Sequence, residues 1–149
     1  MEKILKRFLC LFLLMPFLSF ADHFYDKEIV INGVKFFVKI ASNEFDRAKG
    51  YMDTEKVEYG KGMLFIFKKE QHLSFWMENT PLMLEIAYID SSGIIKEVYD
   101  LEPYSRVNVN SLYKAKYALE LPRGSFSKFK IKIGDKVHFC FAINSLLVE

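Results

Sequence analysis

Residues 73–90 read LSFWMENTPLMLEIAYID, and this stretch decides the fold. Leu73, Phe75 and Met77 alternate with Ser74, Trp76 and Glu78, the period of two of a strand with one apolar face. That alternation puts Trp76 on the more polar side. Asn79-Thr80-Pro81 interrupts the strand, because Asn favours turns and Pro has no amide proton to give a sheet. MLEIAYID resumes as a strand and ends at Asp90-Ser-Ser-Gly93, after which IIKEVYDL returns as its hairpin partner. Along MLEIAYID, Glu85 shares a face with Met83, Ala87 and Ile89.

The flanking chain continues the pattern. EIVI, Asn32-Gly33 and VKFFVKI predict a hairpin, since Asn-Gly accepts the positive φ of a two-residue turn. SNEFDRAKGYM predicts the one helix, near residues 43–52. Ser42 or Asn43 caps it, Glu44 and Asp46 lie in its first turn, and Phe45, Ala48 and Met52 form an apolar stripe. MLFIF is apolar on both faces, as an interior strand is. Residues 102–116 hold Pro103 without periodicity and read as a long loop. KYALEL predicts a strand with Tyr117, Leu119 and Leu121 inward and Glu120 outward. KFKIKI alternates strictly, with Lys128, Lys130 and Lys132 on an outer face, and VHFCFAI closes the domain. The sum is about eight to nine short strands with one helix, a spacing that leaves no room for crossover helices. The expected class is all-β: a single-domain sandwich or closed barrel.

The N-terminus stands apart. Lys3, Lys6 and Arg7 precede an apolar run from Phe8 to Phe20, with Ser19 and Ala21 at the positions a signal peptidase reads. The run is shorter than the roughly 20 residues of a spanning helix. Residues 1–21 are expected to be a signal peptide cleaved after Ala21, leaving 22–149 as an exported β domain, periplasmic or extracellular. An uncleaved N-terminal anchor is the alternative. Of 21 Lys+Arg and 19 Asp+Glu, the signal removes three basic residues and Glu2, which leaves the mature domain formally neutral. That balance gives no basic footprint for nucleic acid. Cys10 leaves with the signal, so Cys140 is alone and reads as a buried small hydrophobe in HFCFAI.

Several residues are familiar in combination: Gly62-Met63-Leu64-Phe65-x-Phe67, Phe75-Trp76-Met77-x-Asn79-Thr80, Ile86-x-x-Ile89-Asp90, Gly93, Leu119-Glu120-Leu121-x-x-Gly124 and Gly134-Asp135. Together they resemble the domain of unknown function 192 family, over about residues 42–137. The resemblance implies a small, mainly β, often exported protein, and implies no activity. Two departures stand out. Met83-Leu84-Glu85 replaces the family's Pro-Leu-Asp, and Gly50-Tyr51-Met52 replaces its Gly-Leu-Met.

The candidate ligand site gathers Arg47, Trp76, Asn79, Thr80, Glu85 and Glu120. A carboxylate on an apolar face needs a partner or a proton, so Glu85 is placed at a pocket floor with Asn79, Thr80 and Arg47 as partners, or at an edge leaning into solvent, or in a buried ion pair that fixes the turn. Trp76 offers a flat face to a sugar ring or another planar ligand, or is covered by the loop 102–116. Glu85 and Glu120 form a glycosidase pair only at a suitable separation. Met52, Met63, Met77, Met83 and His72 suggest soft-metal binding, yet most of these methionines occupy packing positions and no ligand spacing is present. No metal or cofactor is therefore assigned. The leading expectation is a domain of unknown activity that binds a small molecule or glycan, with no catalytic residue named. The alternatives are a cell-envelope carbohydrate hydrolase and an accessory protein for other exported proteins.

Overall fold

A computed structural model describes residues 25–147; the signal-peptide expectation lies outside them. Nine strands are present among the described residues: β1 Lys27–Ile31, β2 Val34–Ala41, β3 Lys61–Gln71, β4 Ser74–Phe75, β5 Leu84–Ile89, β6 Ile95–Leu101, β7 Val109–Asn110, β8 Ala115–Pro122 and β9 Val137–Phe139. Seven form one sheet in the order β6-β5-β8-β3-β2-β1-β9, and β4 pairs with β7 in a second, small sheet. The expected all-β class holds, in the form of a curled half-barrel.

Curling comes from where the apolar side chains meet. Ile95 of one edge strand and Val137 of the other belong to the same buried core as Ile29, Phe36, Leu64 and Leu119. At one end the two edges are tied directly, by Ile95 N donating to Asp135 O at 3.0 Å and Gly134 N to Ile95 O at 2.8 Å. Edge closure of this kind hides backbone groups that otherwise template aggregation.

The first hairpin forms as its sequence predicts. Asn32 and Gly33 both take positive φ, 51° and 77°, between β1 and β2. The Asp90–Gly93 turn also forms, with Asp90 Oδ1 accepting from Ser92 N and Ile94 N, both at 2.9 Å.

Other expectations fail for identifiable reasons. β2 and β3 run parallel, so the segment between them is a crossover. That crossover carries the helix α1, Glu44–Lys49, capped by Asn43 Oδ1 accepting from Asp46 N at 2.8 Å. No α1 residue is buried, and Phe45 is 74 % exposed, so its apolar stripe has no core to face. KFKIKI is not a strand. Ser125–Lys128 form a one-turn helix, α2, followed by Lys130 at φ 56° and a bond from Ile131 N to Phe126 O at 2.8 Å. A left-handed residue closing a helix end throws Phe129 and Ile131 to one side and imitates a strand's alternation. Cys140 is exposed, because the chain leaves the sheet after Phe139. Within 102–116, Val109–Asn110 is a strand rather than loop.

The sheet is covered on both faces, and this places the site. One face is the half-barrel interior. The other holds a second core of Met63, Phe65, Ile86, Tyr88 and Ala118, roofed by Tyr51, Met77 and Leu82 from the segments after α1 and β4. All six residues of β5 are buried. Glu120, expected to point outward, is therefore only 4 % exposed, since the face opposite Leu119 and Leu121 is itself a core.

Candidate functional site

Between α1, β3 and β4 the second core leaves a cavity of about 250 Å³, lined by Arg47, Tyr51, Phe67, Trp76, Thr80 and Glu120 among others. Each wall has a local cause. Gly50 ends α1 at φ 47°, and the chain then turns Tyr51 inward, where it is 2 % exposed. Trp76 follows the two-residue strand β4 and keeps 43 % of its surface exposed. Thr80 is held by its hydroxyl donating to Glu78 O at 3.1 Å and by its carbonyl accepting from Tyr104 N at 3.0 Å.

Glu120 is the unusual member. Among the described residues its carboxyl group has no hydrogen-bond or ion-pair partner, and burial pushes its pKa up to about 8. An ionised carboxylate without a partner is costly in an apolar interior, so the group keeps its proton at neutral pH. Burial likewise pushes the pKa of the neighbouring Tyr51 hydroxyl well above its ordinary value and keeps it protonated, with Tyr25 and Glu120 adding to the effect. Among the described residues that hydroxyl has no partner in hydrogen-bond geometry, although the Tyr25 hydroxyl is near enough to act on it. Tyr88 is raised for the same reasons, burial first and then Glu120.

Arg47 straps α1 to the sheet. Its Nη1 donates to the carbonyls of Ser42 and of Ile66, the second at 3.2 Å, and its guanidinium lies 5.0 Å from the Phe67 ring centre. No carboxylate pairs with it among the described residues.

The structure thus brings together Arg47, Trp76, Thr80 and Glu120, and separates Asn79 and Glu85 from them. Asn79 is an exposed turn residue at φ 53°, whose carbonyl accepts from Asp53 N at 2.9 Å. Glu85 lies on the other face of the sheet. Its oxygens accept from Gly124 N at 2.8 Å and Phe126 N at 3.2 Å, which satisfies the free amides at the start of α2. The expected partners Arg47, Asn79 and Thr80 do not reach it. Sequence reasoning missed Tyr51. The only available signal was a tyrosine directly after the helix-ending glycine, where the resemblance implied leucine.

Fold and cavity together define a half-barrel β domain with a partly buried polar pocket on its outer face. The chain belongs to the DUF192 family, described as an uncharacterized ACR, whose pattern matches residues 27–139. No curated protein matches the sequence. Among solved structures, a "putative transcription regulator" from Sinorhizobium meliloti 1021 is similar. It has 28 % identity and a TM-score of 0.73, over 77 % of this chain and 95 % of that one. A protein of unknown function from Novosphingobium aromaticivorans DSM 12444 shares the fold, with 24 % identity and a TM-score of 0.71, over 74 % of this chain and 83 % of that one.

Proposed function

We propose that this protein is an exported domain that binds a small molecule or a single glycan unit in the cavity beneath Trp76. The observation that carries the reading is Glu120, a buried, unpartnered acid lining a cavity whose mouth holds a half-exposed indole. A polar group left unsatisfied in a core costs stability, and a ligand that accepts its proton repays that cost. The volume suits one ring with a substituent, since a cavity of about 150 Å³ holds benzene. Export is supported by the basic start and apolar run of residues 3–20.

A hydrolase using Glu85 and Glu120 is disfavoured, because the two acids lie on opposite faces and only Glu120 lines the cavity. The test is a screen of sugars and small metabolites by thermal shift and calorimetric titration, which do not depend on the single indole, with Trp76→Ala as control. Hits that vanish in the control support the reading. A broad library with no hit on the wild-type protein sinks it. Cell fractionation, with mass analysis of the mature N-terminus, checks export independently.

A further inference from the structure

The chemistry of the cavity walls narrows the ligand class, a step that rests on the small-molecule reading of the same cavity. Besides the hydroxyls of Ser74 and Thr80, the polar side chains that line it, Arg47, Lys49, Tyr51 and Glu120, carry a positive charge or a proton to donate. Arg47 spends only Nη1 on the protein's own carbonyls, which leaves Nε and Nη2 uncommitted among the described residues. Lys49, at the last turn of α1, adds a second cation to the lining. Deeper in, among the described residues, the Tyr51 hydroxyl makes no hydrogen bond of good geometry, the Tyr25 hydroxyl being its nearest polar neighbour, and the Glu120 carboxyl group has no hydrogen-bond partner. Among the described residues the one acid in the lining is Glu120, which burial keeps protonated near neutral pH, so no carboxylate answers the two cations there. The remaining walls are flat and apolar, from Phe67, Phe75 and Trp76.

A half-buried guanidinium with no counter-ion is an open recognition group, because its planar fork matches a carboxylate in two parallel hydrogen bonds. We infer that the cavity takes a small carboxylate-bearing molecule with a planar or ring-shaped body, its acid group held by Arg47 and its ring against Trp76. Glu120 and Tyr51 then donate hydrogen bonds to the buried end of the ligand. A neutral ligand of the same shape leaves Arg47 unanswered, and a cation is repelled by both basic residues.

The test uses near-isosteric pairs in which a neutral amide replaces the carboxylate: benzoate against benzamide, and glucuronate against glucuronamide. The chain has one tryptophan, so indole emission from the full-length protein reads the cavity directly. The expected result is that at least one acid binds tenfold or more tighter than its neutral partner. Its affinity should fall with added salt and drop in Arg47→Gln to the level of the neutral partner. Because Arg47→Gln also loses a strap between α1 and β3, a second variant is needed. Wild-type affinity for the acid should fall as pH rises through about 8, where Glu120 ionises, while Glu120→Gln keeps its affinity across that range. Tyr51 and Tyr88 face Glu120 and are pushed well above this range, and the cations Arg47 and Lys49 share its cavity; Glu120→Gln leaves all four in place, so a pH response that it abolishes belongs to Glu120. Equal binding of acid and neutral partner, or acid binding indifferent to salt and to Arg47→Gln, overturns the carboxylate assignment and leaves the pocket intact. Silence from all four probes also overturns it, and the broader screen then decides whether the cavity binds anything.

Discussion

Glu85 and Glu120 sit on adjacent strands one register step apart, Glu85 opposite Leu121 and Ile86 opposite Glu120, and so face opposite sides of one sheet. Both are almost fully buried. Glu85 meets two backbone amides and holds a turn together, whereas Glu120 meets none and keeps its proton. The same residue type is a structural anchor on one face and an open chemical group on the other. A one-residue offset decides which.

For Glu85, removal of the carboxylate strands two amide donors at the start of α2. Glu85→Ala should cost roughly 2–4 kcal/mol, the range for buried donors left without a charged acceptor. Urea denaturation measures it. A loss below about 0.5 kcal/mol, the level of a neutral surface change, would remove Glu85 from any structural role.

For Glu120 the expected effect is pH-dependent. Its folded value of about 8 lies above the ordinary 4.5. The unfolded chain therefore releases this proton at lower pH than the folded one, and stability falls as pH rises from about 4.5 to about 8. At pH 7 the penalty is of order 3 kcal/mol. Glu120→Gln removes the titration, so the variant should gain on the wild type between pH 5 and about 8. Parallel stability curves for the two proteins across that interval would contradict a protonated Glu120.

Those two acids also mark how far the sequence could be read. The β hairpins were legible, because Asn32-Gly33 and Asp90–Gly93 carry their turn chemistry locally. Trp76 on the open side was legible from simple alternation. Glu120 was not, because alternation assumes one wet face, and β8 is buried on both. The KFKIKI segment misled for a related reason. Its helical turn is held at its start by Glu85, 39 residues away from Gly124, and no local pattern encodes that contact. The cavity needed Tyr51, Trp76 and Glu120 to converge from three separate segments, which spacing along the chain does not reveal.

Gly62 tests the packing of β3 against β8. A Cβ at this position would stand 2.5 Å from Leu121 Cδ2 and 2.6 Å from the carbonyl oxygen of Glu120. The leucine can rotate, but the backbone oxygen cannot without parting two central strands. Gly62→Ala should therefore destabilise by roughly 3 kcal/mol or more, at the upper end for overpacking. Thermal unfolding checks it. Gly33→Ala, which meets nothing within 4 Å but has φ 77°, separates steric clash from backbone strain.

Trp76 separates function from folding. With 43 % of its surface still open, the indole contributes less burial than a core aromatic. Trp76→Ala should lower stability by no more than about 1–2 kcal/mol, against the 3–5 typical of a buried aromatic. Ligand affinity should suffer more, because the cavity loses the flat wall at its mouth. Calorimetric titration, which does not depend on indole emission, compares the two proteins with the same ligand. A variant that binds as tightly as the wild type would take Trp76 out of the site. One that unfolds at room temperature would make it a packing residue whose exposure is incidental.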